Sequence, residues 1–338
     1  MLDLVVMGDA QIDIALGPVS GLKLDGQIRT RIGGQPRTIP QVELLAGRLA
    51  GRRMILAQRL DRCPGGSADN LAFASGRLGT RSSIICSLGD DEDGMAILNA
   101  LKQVGVDTTG VKINGDIPTG VSVLVRTESG QRSSIFFPGA NARLSPDDLP
   151  DDILEKTRAF CFMNFFMLTG IGGNALAEIL GRAKDKGAMT FLDPGPIPFS
   201  TTDGEIRSIL RALASVDYFL PTEDEAQIIS GRSDSESSAE FFLEQGVASV
   251  IVKLGEQGCL IAQKGKAPVN VKGIKIGTMV DTTGAGDVFA AAFISRLLRG
   301  EGLIPAAEFA NAAAAIACTG RGRETFPTSE ETLEILKR

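Results

Sequence analysis

The chain has 338 residues, 43% of them hydrophobic, enough to bury a sizeable core in one large domain, which excludes disorder and fibre. Its 41 acidic and 35 basic side chains give a formal net charge of -6, which argues against a general polyanion binder, and no nucleic-acid partner is expected. Histidine is absent, which removes Ser/His/Asp triads, Cys/His dyads and histidine zinc sites and leaves proton chemistry to carboxylate, lysine, cysteine or tyrosine.

The five cysteines, Cys63, Cys86, Cys161, Cys259 and Cys318, are odd in number and far apart, with no CxxC pair. That pattern fits a reducing cytoplasm better than a disulfide framework. No apolar run has the roughly 18 residues of a membrane span, and the acidic start Met1 to Asp9 does not read as a leader, so a soluble protein with no membrane partner is expected.

In chain order, Leu2 to Met7 reads as a buried strand that opens into a loop at Gly8-Asp9. Ser20 to Arg62 has weak periodicity, with nine basic residues against three acidic ones, and looks like an excursion from the main domain. Pro64 to Gly79 starts with turn residues and continues as a helix, Ser83 to Leu88 is a strand, and Asp91 to Val104 is a helix. Thr119 to Arg126 and Arg132 to Phe137 alternate around Glu128-Ser129-Gly130 and predict a hairpin.

Further on, strands are predicted at Phe160 to Phe165, Met189 to Leu192, Tyr218 to Leu220 and Ser249 to Leu254, followed by two more up to Val271. Helices are predicted at Gly173 to Lys186, Glu205 to Ala214, Glu223 to Ser230 and Ala239 to Gln245, with three more after Gly284. This alternation implies a right-handed, mostly parallel sheet covered on both faces, an α/β fold. Strands of the excursion and the hairpin form a small β lid over the edge of that sheet where open α/β folds bind ligands.

The sharpest motif is Asp281-Thr282-Thr283-Gly284-Ala285-Gly286-Asp287, followed at once by the apolar stretch Val288 to Leu298. Glycines at a helix start let backbone N–H groups point at an anion, and the helix dipole adds positive potential. A carboxylate there repels phosphate, so Asp287 is placed instead to take a proton from a hydroxyl attacking a phosphoryl group. A plain capped helix start is the alternative. There is no GxxxxGK[ST] string and no GxGxxG after the first strand, so neither a P-loop nor a dinucleotide-binding Rossmann site is indicated.

That motif, the early PGGSADN segment and the Pro138-Gly139-Ala140-Asn141 turn together resemble the ribokinase (PfkB) family of carbohydrate kinases, nearly end to end and in the right order. The resemblance implies a ribokinase-like three-layer α/β/α domain over 1–338, with the β lid inserted at about 15–62 and 118–138. It implies Asp287 as catalytic base and the amides of Gly284, Ala285 and Gly286 as the anion hole. Asp9, Asp13, Gly65, Gly66 and Asn70 match positions that close around the sugar, with Asp13 and Asn70 binding hydroxyls, and Asn141 matches a position near substrate or phosphate.

For ATP, the resemblance points to Thr222, Lys253, Gly255, Gly258 and Asn311. Glu225 matches the glutamate of an NxxE motif that organises Mg2+ through water. Thr222 stands where the family usually has asparagine, and a helix N-cap is its plain alternative. Asp281 and the turn near Thr319 to Gly322 match a region that in many members holds a monovalent cation such as K+, although this chain is one residue shorter after Gly322. A homodimer through the lid is a further expectation.

The acceptor stays open among sugars, sugar phosphates and nucleosides. An arginine of the excursion (Arg29, Arg31, Arg37, Arg48, Arg52, Arg53, Arg59, Arg62) is one candidate for a substrate phosphate, against a solvated or subunit-contacting face. Phe136, Phe137, Phe165 and Phe166 are candidate surfaces for a nucleoside base. A catalytically silent sensor and a dehydrogenase are the competing classes.

Overall fold

A computed structural model of the chain describes residues 2–19, 27–32, 35–40, 57–127 and 132–337. The first apolar run forms β1 (Leu2–Met7), whose side chains divide between two cores, Leu4 and Val6 on one face and Val5 and Met7 on the other. A strand covered on both faces has no polar side, which is why its buried residues 4–7 are all apolar.

At Gly8 the chain leaves this sheet. β2 (Gln11–Val19) runs outward, β3 (Gln27–Ile32) and β4 (Gln35–Pro40) pair with each other, and β5 (Ala57–Gly65) returns antiparallel to β2. The register sets Gln11 opposite Gly65 and Asp13 opposite Cys63. β5 delivers the chain directly to α1 (Ser67–Arg77), so the helix start, β2 and the end of β1 meet at one point.

β6 (Ser82–Ile85) pairs in parallel with β1 and then gives way to β7 (Ser87–Gly89). The single predicted strand divides here because the Cys86 carbonyl accepts from Lys112 N, and β7 pairs with β8 (Lys112–Asn114), beyond α2 (Glu92–Gln103), rather than with β1. The predicted hairpin is β9 (Gly120–Thr127) with β10 (Arg132–Phe137), and its tip lies outside the described residues. β9 also lies parallel to β2, which makes a second sheet in the order β10-β9-β2-β5.

The remaining elements complete the main layer. In order they are α3 (Asp151–Leu154), β11 (Thr157–Met163), α4 (Ala175–Asp185), β12 (Met189–Asp193), α5 (Asp203–Ala212), β13 (Tyr218–Phe219), α6 (Glu223–Ser230), α7 (Ser235–Glu244) and β14 (Ser249–Lys253). β15 (Gly258–Gln263), β16 (Val269–Lys272), α8 (Ala285–Leu298), α9 (Leu303–Ala317) and α10 (Ser329–Leu336) follow. Eight of the described strands form one sheet, β16-β15-β14-β13-β12-β11-β1-β6, parallel from β14 to β6 with β15 and β16 antiparallel.

α1, α2, α8 and α9 cover one face of that sheet, and α4 to α7 cover the other. This is the expected three-layer α/β/α, ribokinase-like architecture. β11 stops at Met163, two residues before its predicted end, because Asn164 takes φ 60 and starts a 3-10 turn. α7 begins four residues before its prediction, where the Asp234 side chain caps the Ser237 N–H. Among the described residues no helix is long and apolar enough to cross a membrane.

Candidate active site

The C-terminal end of β1, the root of β2 and the start of α1 bring the first cluster together. A Cβ on Gly65 would lie 2.1 Å from Asp13 Oδ2, so only glycine lets the Asp13 carboxylate lie against the end of β5. Gly66 follows with φ 99, a conformation side chains rarely adopt, and turns the chain into α1. Asp9 is fully buried and accepts from Ser67 N (3.0 Å), Ala68 N (3.3 Å) and Asn164 Nδ2 (2.8 Å). Burial nevertheless pushes the Asp9 carboxyl up to about 7. It pushes Asp13 up to about 6, against the Gln11 hydrogen bond and the charge of Arg323.

The second cluster is the start of α8. Gly284 is its N-cap with φ 78, and a Cβ there would lie 2.8 Å from Phe326 Cζ. The first N–H groups of a helix have no carbonyl one turn back, which is what lets such a start receive an anion. The expected anion hole is corrected at one position, since the Ala285 N–H turns back onto Thr282 O at 3.2 Å. Asp281 Oδ1 accepts from Thr283 N (2.9 Å) and Oγ1 (2.8 Å), and its loop is pinned to α9 by Val280 N donating to Cys318 O at 2.8 Å.

Asp287, in the first turn of α8, is where the two clusters meet. Its Oδ2 accepts from Asn70 Nδ2 at 2.8 Å. Burial holds its carboxyl well above the usual range; the Asn70 hydrogen bond opposes this, Asp193 adds to it and the Lys253 ammonium opposes it.

On the other side of α8 lies a cleft of about 520 Å³. Thr222, Lys253, Gly255, Gly258 and Asn311 all line it, together with Gly286. Thr222 caps α6 in a reciprocal pair, its N–H donating to Glu225 Oε2 (2.8 Å) while its Oγ1 accepts from Glu225 N (3.4 Å). Burial first, then Asp193, pushes Glu225 up to about 7 while Lys253 opposes. Lys253 Nζ lies 2.5 Å from Asp193 Oδ2, with only 10% and 4% of the two side chains exposed. Burial acts to lower the Lys253 pKa, but Asp193 and Glu225 outweigh it and the ammonium is retained. Asn311 Nδ2 donates to Val271 O (3.2 Å) and Lys272 O (3.1 Å), which ties α9 to β16 at the cleft wall.

A glycine-capped helix start with a carboxylate in its first turn, between a cluster of carboxylates and amides and a cleft with a buried lysine, matches a defined group of proteins. The family model for pfkB family carbohydrate kinases matches residues 37–330. The chain belongs to the pfkB family of carbohydrate kinases. The kinase is similar to a ribokinase of Haemophilus influenzae, 31% identical over 279 residues that cover 81% of this chain and 87% of that protein. It is 29% identical to a fructokinase of Solanum tuberosum over 287 residues, 82% of this chain and 87% of that one. Its fold matches the structure of Arabidopsis thaliana ribokinase complexed with ribose and ATP at a TM-score of 0.78, with 25% identity and 100% of both chains covered.

Some sequence expectations take a different form in this pfkB kinase. Asn141 is fully buried and spends both polar ends on one residue, accepting from Ala10 N (3.0 Å) and donating to Ala10 O (3.1 Å). It therefore holds the link between β1 and β2 rather than facing a ligand. Phe165 and Phe166 pack into the core beneath α4 and α5, which removes them as base platforms and leaves Phe136 and Phe137 on β10. Arg62 pairs with Asp93, while the side chains of the earlier arginines lie outside the described residues.

Four residues of the kinase's site escape sequence reading. Arg323 Nε donates to Asn70 Oδ1 at 3.1 Å, its Nη2 pairs with Asp69, and its guanidinium lies 5.0 Å over the Phe73 ring. Asp69 and Arg323 are 254 positions apart, so no local pattern joins them. Gln11, bonded through Nε2 to Asp13 Oδ1 (3.4 Å), and Asp193 are the others, and only their places at strand ends could have flagged them. Gln11 Oε1, Asp69 Oδ1, Asn164 Oδ1 and Arg323 Nη1 are buried with no hydrogen-bond partner among the described residues. Gln11 is bonded to Asp13, Arg323 to Asn70 and Asp69, and Asn164 to Asp9, so these atoms cluster at this end of the site.

Proposed function

We propose that this sugar kinase moves the γ-phosphoryl group of ATP to a hydroxyl of a small sugar or sugar-like acceptor, with Asp287 as the base. The observation that carries this reading is the 2.8 Å bond between Asn70 and Asp287, which sets the carboxylate where the acceptor cluster and the start of α8 join. The acceptor lies against Gly65 and Gly66, with hydroxyls bonded to Asp13 and Asn70, and the nucleotide fills the 520 Å³ cleft. Asn70 occupies Asp287 Oδ2, so Oδ1 receives the proton as the acceptor oxygen bonds to phosphorus and the bond from phosphorus to the departing ADP oxygen breaks.

Negative charge on the transferred group faces the amides of Gly284 and Gly286 and the Lys253 ammonium, which Asp193 holds in place. A raised Asp287 pKa suits this role, because a base that is too acidic takes a proton poorly at neutral pH.

Among the described residues no three metal-ligating side chains converge. By resemblance, Glu225 would reach an Mg2+ ion brought in by the nucleotide through water. When bound, Mg2+ neutralises phosphate charge. A K+ ion is assigned to Asp281 and the turn at 319–322 by resemblance, and activity in potassium against choline salts tests it. The second sheet is the lid that excludes water. Its strands present Ile135, Phe137 and Leu60 at 54%, 52% and 65% exposure, which supports a homodimer through the lid. The cysteine pattern supports a cytoplasmic location.

Magnesium-dependent ADP release, measured with a panel of hexoses, pentoses, keto-deoxy sugars, nucleosides and sugar phosphates beside Asp287→Asn, tests this reading. Acceptor-stimulated turnover that the substitution abolishes is the expected result. Acceptor binding by calorimetry without turnover on any panel member favours a sensor instead.

A further inference from the structure

We infer that Arg323 is a positioning residue for phosphoryl transfer, fixing which way the Asn70 amide faces so that Asn70 donates to Asp287. This rests on the reading of Asp287 as the base. An asparagine amide has one accepting and one donating end, and the two exchange when it turns over. Arg323 presents only donors, so its Nε at 3.1 Å from Asn70 admits only Oδ1 on that side. Nδ2 is thereby committed to Asp287 Oδ2 at 2.8 Å. A reversed amide would set its oxygen against the carboxylate, a contact tolerable only if Asp287 carried a proton and so could not accept one.

Arg323 is itself held on two sides. Its Nη2 pairs with Asp69, which has no solvent exposure, and its plane lies over Phe73. Asp69 and Asn70 are adjacent in the first turn of α1, so one guanidinium clamps two neighbouring side chains, one as ion-pair partner and one as amide. The other groups facing Asp287 are Asp193 at the end of β12, Lys253 at the end of β14 and Asp9 after β1. None of these reaches the Asn70 oxygen, so the orientation of the amide depends on Arg323.

The test uses Arg323→Lys and the double substitution Asp69→Leu with Arg323→Met, which removes both buried charges and keeps the core neutral if the single changes fail to fold. The double variant is expected to melt near the wild type, to lose about 10²-fold in kcat, and to keep its KM for ATP. The acid limb of its pH profile moves to higher pH, because Asp287 loses the hydrogen bond that favours its charged form. Arg323→Lys, which cannot serve Asp69 and Asn70 together, is expected to fall between. The Asn70 side-chain amide protons, followed by 15N NMR hydrogen exchange, report the same contact without turnover and are expected to exchange faster in the double variant. A double variant with unchanged kcat and acid limb, or an unchanged Asn70 amide, overturns the inference. If the wild type shows no Asp287-dependent turnover with any acceptor, the phosphotransfer reading fails, and the NMR arm still decides whether Arg323 orients Asn70.

Discussion

Asn70 and Asp287 lie 217 positions apart in the chain, yet the Nδ2 of one and the Oδ2 of the other are 2.8 Å apart in the folded protein. Each stands in the first turn of its helix, and α1 and α8 pack side by side on the same face of the sheet. The two motifs that are separate in sequence thus meet in space.

Replacing Asp287 by Asn keeps the shape and an acceptor for the Asn70 N–H while removing the base. Turnover is expected to fall about 10²- to 10⁴-fold, the range set by loss of general base catalysis. Melting at alkaline pH is expected to be no lower than in the wild type, because a half-buried carboxylate whose charged form the fold disfavours has been removed. ADP release and differential scanning calorimetry on one preparation check both, and near-normal turnover would exclude Asp287 as the base.

The Lys253–Asp193 pair separates stability from chemistry. With both side chains at or below 10% exposure, Lys253→Met leaves Asp193 buried without its cation, a change that costs about 3–5 kcal/mol. Adding Asp193→Leu is expected to restore most of that stability in urea unfolding. It is not expected to restore turnover, since the ammonium that faces both Asp287 and the cleft is still missing. Recovery of activity in the double variant would show that Lys253 serves only the fold.

Gly65→Ala distinguishes the two ends of the site. The new methyl would fall 2.1 Å from Asp13 Oδ2 and force that carboxylate out of place, whereas the 520 Å³ cleft beside α8 does not include residue 65. The KM for the acceptor is expected to rise about 10-fold or more while that for ATP is unchanged, with roughly 1–3 kcal/mol of stability lost to the overpacked contact. Equal changes in the two KM values would place Asp13 away from the acceptor.

What the sequence disclosed follows from the range of the interactions. The apolar runs Leu4–Met7, 159–163 and 250–252 reported β1, β11 and β14, because burial on both faces leaves little room for polar residues. The glycine-capped helix start at Gly284 was legible because glycine, the turn residues and the apolar helix are contiguous. The role of Asn141 was not, since its partner Ala10 is 131 positions away and a short asparagine turn gives the same local signal. Arg323 was missed for a similar reason: it follows Gly322 in a charged stretch, where a buried arginine and a solvated one look alike. The break between β6 and β7 depends on a change of hydrogen-bonding partner at Cys86, which strand periodicity does not encode.

Asp9 makes stability depend on pH in a direction opposite to that of a salt-bridged carboxylate. Its carboxyl rises from 3.8 in the unfolded chain to about 7 when folded, chiefly through burial. Between those values the folded protein holds a proton that the unfolded chain has released, so this group weakens the fold as pH rises through that window. The slope is up to about 1.4 kcal/mol per pH unit, absent below the unfolded value and flat above the folded one. Asp13 and Glu225, raised to about 6 and about 7, act with the same sign, so wild-type stability is expected to decline from about pH 4 to about pH 7. Asp9→Asn keeps an acceptor for Ser67 N and Ala68 N, and the Asn164 amide can turn its buried, unpartnered Oδ1 toward the new N–H. This variant is therefore expected to gain on the wild type as pH rises, and to show a shallower decline in urea midpoints between about pH 5 and about pH 8. Parallel midpoint curves for the two proteins would show that Asp9 does not carry a raised pKa in the fold.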